Sequence, residues 1–301
     1  MKTIACLAGD GVGPELMAAA TRALDRVSHL HSLELDDVHL PFGGEAVTRS
    51  GHPLPSSTRD GYRNVDAILV ASPNEPAFEG VKADLQLAWR IARVHLGERA
   101  DVVVVAPLGA WADAIAVERA FTCASSRRGR VAAVSTDDSW YAFVEREQGR
   151  WPGMKSERLG VGEAIIRLKE HPEDLDVVVT ESHLFDALVD ASSHFAGSAA
   201  TVAHGWMPDT GPGVFAPGEA EGDDVAGFGV ADPTGMLLTA SLMLAEGLKR
   251  RSASRTLERA VGAVAERTTT RPRETQSFTD AVIELLPSAR TDLEHFDEVW
   301  R

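Results

Sequence analysis

The chain has 301 residues, a net charge of -15, and 44% hydrophobic against 25% charged residues, the balance of a globular protein able to bury one large or two ordinary α/β cores. Its acidity argues against nucleic acid and anionic membrane as partners, because both are bound through clustered Lys and Arg. Two cysteines without a neighbour at metal-ligand spacing, no signal-peptide pattern and no bilayer-length apolar run point to a reduced, cytoplasmic protein with no membrane partner.

Taken in chain order, residues 3–8 form an apolar run, followed by Gly9-Asp-Gly-Val-Gly-Pro-Glu15 and a helical pattern to about Leu24. Strand, glycine turn, helix is the reading, with Pro14 suited to the first helical position and Glu15 to the positive helix end. The glycines would let backbone N–H groups approach a phosphate or cofactor, or serve a tight turn alone. The Gly-x-Gly-x-Gly spacing is not that of a Rossmann fingerprint. A strand is expected near Leu35 to Leu40, then the loop Pro41-Phe-Gly-Gly44, a surface segment through 51–57, a surface helix carrying Tyr62, and a buried strand from Asp66 to Ser72.

Residues 84–99 read as a helix carrying Arg90, Arg93 and Arg99, either a clamp for substrate carboxylates or a set of surface ion pairs. Buried strands are expected at Asp101 to Pro107 and Arg130 to Thr136, with a helix from about Ile115 to Ser125 between them. Strands alternating with helices imply a mostly parallel, doubly wound sheet, whose ligands collect at the carboxyl ends of strands. Residues 175–190 read as a short strand at Val177 to Thr180 turning into a helix that puts Asp186 and Asp190 on one face. That pair is either a hard-oxygen site for Mg or Mn or a solvated acidic face. Gly211 to Asp224 reads as a Gly/Pro/acid loop, followed by an apolar helix from Thr234 to Gly247 and helices near 254–266 and 277–286.

Leu7 to Glu15, Leu40 to Gly44, Thr180 to Asp190 and Phe215 to Pro233, in that order, resemble the signature stretches of the isocitrate/isopropylmalate dehydrogenase family, nearest its isopropylmalate branch. The Thr180 to Asp190 segment matches the family's Thr-Asp/Glu-Asn-Leu-Phe-Gly-Asp-Ile-Leu-Ser-Asp pattern without a gap. The resemblance implies an isopropylmalate-dehydrogenase-like α/β fold: a large domain from 1–98 and 200–301, and a small dimerisation and metal domain from 99–199. It implies a homodimer acting on a small carboxylate substrate. The reaction would be NAD- and Mg/Mn-dependent oxidation, with or without decarboxylation, of a 2-hydroxy carboxylic acid.

By the same resemblance the metal would be held by Asp186 and Asp190 with Glu163 from the partner subunit, and substrate by Arg90, Arg93 and Arg99. Val12, Glu219, Asp224, Val225 and Asp232 fall at cofactor positions, and an Asp at 224 favours NAD over its 2′-phosphorylated form. The chain departs from the family where proton transfer is concerned. The family's Lys context, Ser-Val-Asp-Lys-Ala-Asn, reads Ser135-Thr-Asp-Asp-Ser-Trp140 here, and the segment carrying the family's Tyr is missing after Pro107. That leaves Asp138 and Tyr141 as the nearest catalytic candidates, and a family member that binds metal or carboxylate without hydride transfer as the alternative.

Overall fold

In the computed structural model, residues 1–73, 77–95, 101–196, 202–218, 225–268, 274–293 and 296 are described. In chain order the regular elements are β1 (Lys2–Leu7), α1 (Gly13–His31), β2 (Leu35–His39), α2 (Gly44–Ser50), α3 (Ser56–Tyr62), β3 (Ala67–Val70) and α4 (Ala77–Asp84). They continue with β4 (Leu87–His95), β5 (Asp101–Pro107), α5 (Asp113–Ser125), β6 (Arg130–Val134), α6 (Tyr141–Gln148), β7 (Lys155–Leu159), α7 (Val161–Glu170), β8 (Val177–Thr180) and α8 (Phe185–Ala196). The last are β9 (Val202–Pro208), β10 (Gly213–Pro217), α9 (Thr234–Leu242), α10 (Arg251–Arg267) and α11 (Thr275–Leu285). No helix among the described residues is long and apolar enough to cross a membrane.

The chain forms two compact units, Met1–Leu85 with Thr210–Arg301, and Gln86–Asp209. The boundaries therefore fall at 85/86 and 209/210 rather than at 98/99 and 199/200. β4 belongs to the second unit because it pairs along its length with β5 and β9.

In the first unit four parallel strands run in the order β2-β1-β3-β10. Of the inner strands, β3 is apolar and fully buried from Ala67 to Val70 and β1 is buried from Ile4 to Leu7, as expected for parallel strands covered on both faces. α1 begins with Pro14 in its first turn and Glu15 against the positive helix end, and packs on α9, α10 and α11. β10 corrects the expectation of a loop over 211–224: Gly213 and Pro217 bound a fully buried Val-Phe-Ala that pairs with β3. Glycine and proline mark the ends of this strand, not its absence. Tyr62, expected on a surface helix, ends α3 with its ring fully buried and its hydroxyl donating to Asp84 at 2.5 Å.

The second unit has the strand order β9-β4-β5-β8-β6-β7, antiparallel only where β4 meets its neighbours. Its core joins Val102 and Val104 of β5, Val178 of β8 and Leu188 and Val189 of α8. The mostly parallel α/β architecture stands as expected, but the helix expected over 84–99 does not. α4 ends at Asp84 and residues 87–95 form β4, buried on both faces.

At the amino ends of β5 and β8, Arg127 bridges Asp101 (2.9 Å) and the fully buried Asp176 (2.7 Å). Arg93 holds Asp101 through two bonds of 2.9 and 2.5 Å. Burial pushes the Asp101 carboxyl up, but the Arg93 and Arg127 guanidiniums outweigh it and hold the group well below the usual carboxylate range.

Candidate functional site

At the carboxyl end of β8 the chain leaves Thr180 through Glu181 and a short 3-10 turn, Ser182–Leu184, into α8. Phe185, Leu188 and Val189 turn inward, which leaves Asp186 and Asp190 on the exposed face one turn apart. Arg90 on β4 is opposite Ala106, so its side chain starts from the same end of the sheet as Glu181.

The Arg90 guanidinium donates to both oxygens of Asp186, at 2.9 and 3.2 Å, and to the Ser182 carbonyl at 2.7 Å. It also stacks on the Phe185 ring, 4.1 Å from the centroid. Its Nε–H is buried without a partner among the described residues. The side chain of Arg90 is 16% exposed and that of Asp186 is 71% exposed, so the pair sits with its cation half in the protein and its anion in water.

A hard-oxygen donor set is present in Asp186 and Asp190, and its chemistry fits Mg or Mn. Glu163, on α7, is exposed and accepts from Arg167 at 2.7 Å. Within one chain the three carboxylates do not gather around a common point; no ligand triple among the described residues includes any of them. Arg93 differs from Arg90, because its donors are committed to Asp101 inside the buried ion network. Its charge is not available to a substrate carboxylate. Arg99 lies outside the described residues.

The two catalytic candidates stand in different surroundings. Tyr141 is buried, its hydroxyl placed 3.2 Å from both the Ser135 and Leu159 carbonyls, so its proton is held by the backbone. Asp138 is exposed in the turn after β6. That turn is set by Asp137, which accepts from the Ser139 N–H and hydroxyl at 2.8 Å each, and the bonds hold its carboxyl below the usual value. Glu181 accepts from the Ser135 hydroxyl and from the Thr136 N–H at 2.9 Å, tying the ends of β6 and β8 together. Burial pushes the nearby Asp113 carboxyl up, and the Glu181 charge adds to the shift. Sequence reading passed over Asp113 and Glu181; the sequence signal for Glu181 was its place at the end of a valine run, where doubly wound sheets collect functional groups.

In the first unit the glycine stretch, the 40–44 loop and the 225–233 segment meet. Asp10 accepts from the Gly44 N–H at 2.6 Å, and Glu15 accepts from the Gly229 N–H at 3.1 Å. A cavity of about 380 Å³ lies between Glu15, Arg22, Gly229 and Thr275. Glu15 Oε1 is buried without a partner among the described residues, while Arg22 is paired with Asp280 at 2.5 Å. A carboxylate oxygen placed this way can accept from a hydroxyl group. Val12, expected to touch cofactor, is buried at the start of α1, and Val225 accepts from the Phe228 N–H at 3.1 Å. Asp232 accepts from the Thr234 N–H at 3.0 Å and from the Thr234 hydroxyl, so it fixes the start of α9. Glu219 and Asp224 lie outside the described residues.

Comparison with known proteins places these features in a lineage. The sequence is 29% identical over 313 residues to a 3-isopropylmalate dehydrogenase of Streptococcus thermophilus, covering 86% of this chain and 91% of that protein. It is 30% identical over 319 residues to one of Bacillus cereus, covering 87% and 89%. The fold superposes on a β-decarboxylating dehydrogenase from Thermococcus kodakarensis in its apo form, with a TM-score of 0.80, 22% identity and coverage of 100% and 99%. It also matches isocitrate dehydrogenase from Methylococcus capsulatus, with a TM-score of 0.75, 20% identity and coverage of 94% and 99%. The sequence model described as isocitrate/isopropylmalate dehydrogenase matches residues 3–88 and 86–284, and the chain belongs to that family.

Proposed function

We propose that this chain binds a small 2-hydroxy carboxylic acid together with Mg or Mn through Arg90, Asp186 and Asp190, and does not carry out the family's hydride transfer. The observation that supports this is the Arg90–Asp186 fork at the carboxyl ends of β5 and β8. A metal-chelated hydroxy acid brings a cation for Asp186 and an anion for Arg90. Both groups then exchange one partner for another without a net change of charge. The metal would supply a Lewis acid beside the hydroxyl.

The proton-transfer side argues for binding over redox turnover. The only lysines between residues 86 and 209 are Lys155, which begins β7, and Lys169, near the end of α7, both away from the carboxyl end of a strand. Tyr141 is committed to backbone carbonyls, and the exposed Asp138 supplies a carboxyl where the family pattern has a lysine. By the resemblance, Glu163 would complete the metal site of a partner subunit in a homodimer.

A second reading, NAD-dependent oxidation of the acid, is favoured by sequence identity to 3-isopropylmalate dehydrogenases over most of the chain. Calorimetric titration with malate, with and without Mn²⁺, tests the first reading, and incubation with NAD, Mn²⁺ and 3-isopropylmalate tests the second. Malate binding that requires Mn²⁺ and disappears in Arg90→Met, with no NADH absorbance in the incubation, is the expected result. NADH formation overturns the exclusion of hydride transfer, and absence of malate binding overturns the binding site.

A further inference from the structure

Away from that site, the parallel register of β1 and β2 sets Ile4 opposite Asp37 and Cys6 opposite His39. Side chains two apart on a strand share a face, so Cys6, Asp37 and His39 all project from one side of this strand pair. The Cys6 sulfur, an Asp37 oxygen and a His39 ring nitrogen lie within 4.8 Å of one another. His39 Nε2 is 3.1 Å from Asp37 Oδ2. β2 is the edge strand, so Asp37 and His39 are exposed while Cys6 is 1% exposed beneath them.

A small cavity of about 40 Å³ adjoins Asp37, walled by Thr21, Asp25 and Ser28 of α1. The Ser28 hydroxyl in that wall is buried and has no partner among the described residues. The space exceeds the ~10–15 Å³ that one water needs.

We propose that Cys6, Asp37 and His39 form a binding site for a zinc-class divalent cation, with a water as the remaining ligand. One thiolate, one imidazole and one carboxylate are the donors such a cation takes, in a tetrahedral arrangement with one position open. The all-oxygen pair at Asp186 and Asp190 prefers harder ions, so the two sites select different metals. On binding, the metal–sulfur bond replaces the S–H bond and the thiol proton passes to solvent. The site needs no redox partner. Without a cation, burial and the Asp37 charge hold the Cys6 proton in place.

The test is titration of the full-length chain with Co²⁺, a spectroscopic substitute for Zn²⁺, in excess Mg²⁺ to saturate hard-oxygen sites. The expected result is uptake of one equivalent with a near-ultraviolet thiolate-to-cobalt band that Zn²⁺ abolishes. Cys6→Ser removes the band, His39→Ala weakens binding at least ~10-fold, and Asp186→Asn leaves both unchanged. His39 is exposed, so its variant folds even if the buried Cys6 variant does not. Cobalt uptake without the band, a band that survives in Cys6→Ser and so reports Cys123, or no uptake overturns the proposal.

Discussion

Arg90→Met should destabilise the second unit several times more than Asp186→Asn, although the two side chains are partners. The exposed carboxylate contributes little, since ion pairs of this kind are worth ~0.2–1 kcal/mol. Arg90 makes further contacts. A hydrogen bond from a charged donor to the Ser182 carbonyl contributes ~1.5–3 kcal/mol, and stacking on Phe185 contributes ~0.5–1 kcal/mol. Met retains much of the side-chain packing, so Arg90→Met is expected to cost ~2–4 kcal/mol and Asp186→Asn under ~1 kcal/mol. Five of the six tryptophans lie between residues 86 and 209, so urea unfolding followed by tryptophan fluorescence reports this unit. Equal costs for the two variants would refute the reasoning. The asymmetry also bears on function: opening the fork for a metal-bound ligand costs at most ~1 kcal/mol, or about 5-fold in affinity. Such a pair can keep the proposed site ordered without closing it.

Tyr141→Phe is expected to cost ~1 kcal/mol in urea unfolding and leave Mn²⁺-dependent malate binding unchanged; loss of that binding would return the phenol to the site. Arg127→Met, which strips the fully buried Asp176 of one partner, should cost ~3–5 kcal/mol by the same fluorescence assay. The Asp101 carboxyl is held below its unfolded value of 3.8, so its contribution is present above pH 3.8 and lost as pH falls through the folded value. Removing the Arg127 charge raises that folded value, so acid unfolding of the variant should begin at higher pH; an unchanged acid midpoint would contradict this. Gly13→Ala should cost ~1–3 kcal/mol in thermal unfolding monitored by circular dichroism, because its Cβ would sit 2.0 Å from the Ala8 carbonyl oxygen.

What could be read from sequence divides along the range of the forces involved. The valine runs at 101–107 and 177–180 are legible because a strand buried on both faces needs an unbroken apolar stretch, which is a local property. Leu87–His95 is not. Leu85, Ala88, Ile91 and Ala92 recur at helical spacing, and only pairing with β5 and β9 makes the segment a strand. The same division runs through the sites. Asp186 and Asp190 are four apart and declare themselves, whereas Arg90 meets Asp186 across 96 positions and required the folded sheet to be found. Cys6 showed no partner at metal-ligand spacing because its neighbours stand on another strand, and the β1–β2 register alone brings them together.

The same difference of range governs which groups persist when a family member loses a segment. Locally encoded groups such as the Asp186–Asp190 pair persist as long as one helix does. Groups that depend on long-range placement, including a proton-transfer Lys or Tyr, require the whole segment that carries them. By the family resemblance, the segment missing after Pro107 would have carried one such group together with its support. Ligand binding and hydride transfer would then be lost separately, and the proposed binding residues Arg90, Asp186 and Asp190 all lie on β4 and α8.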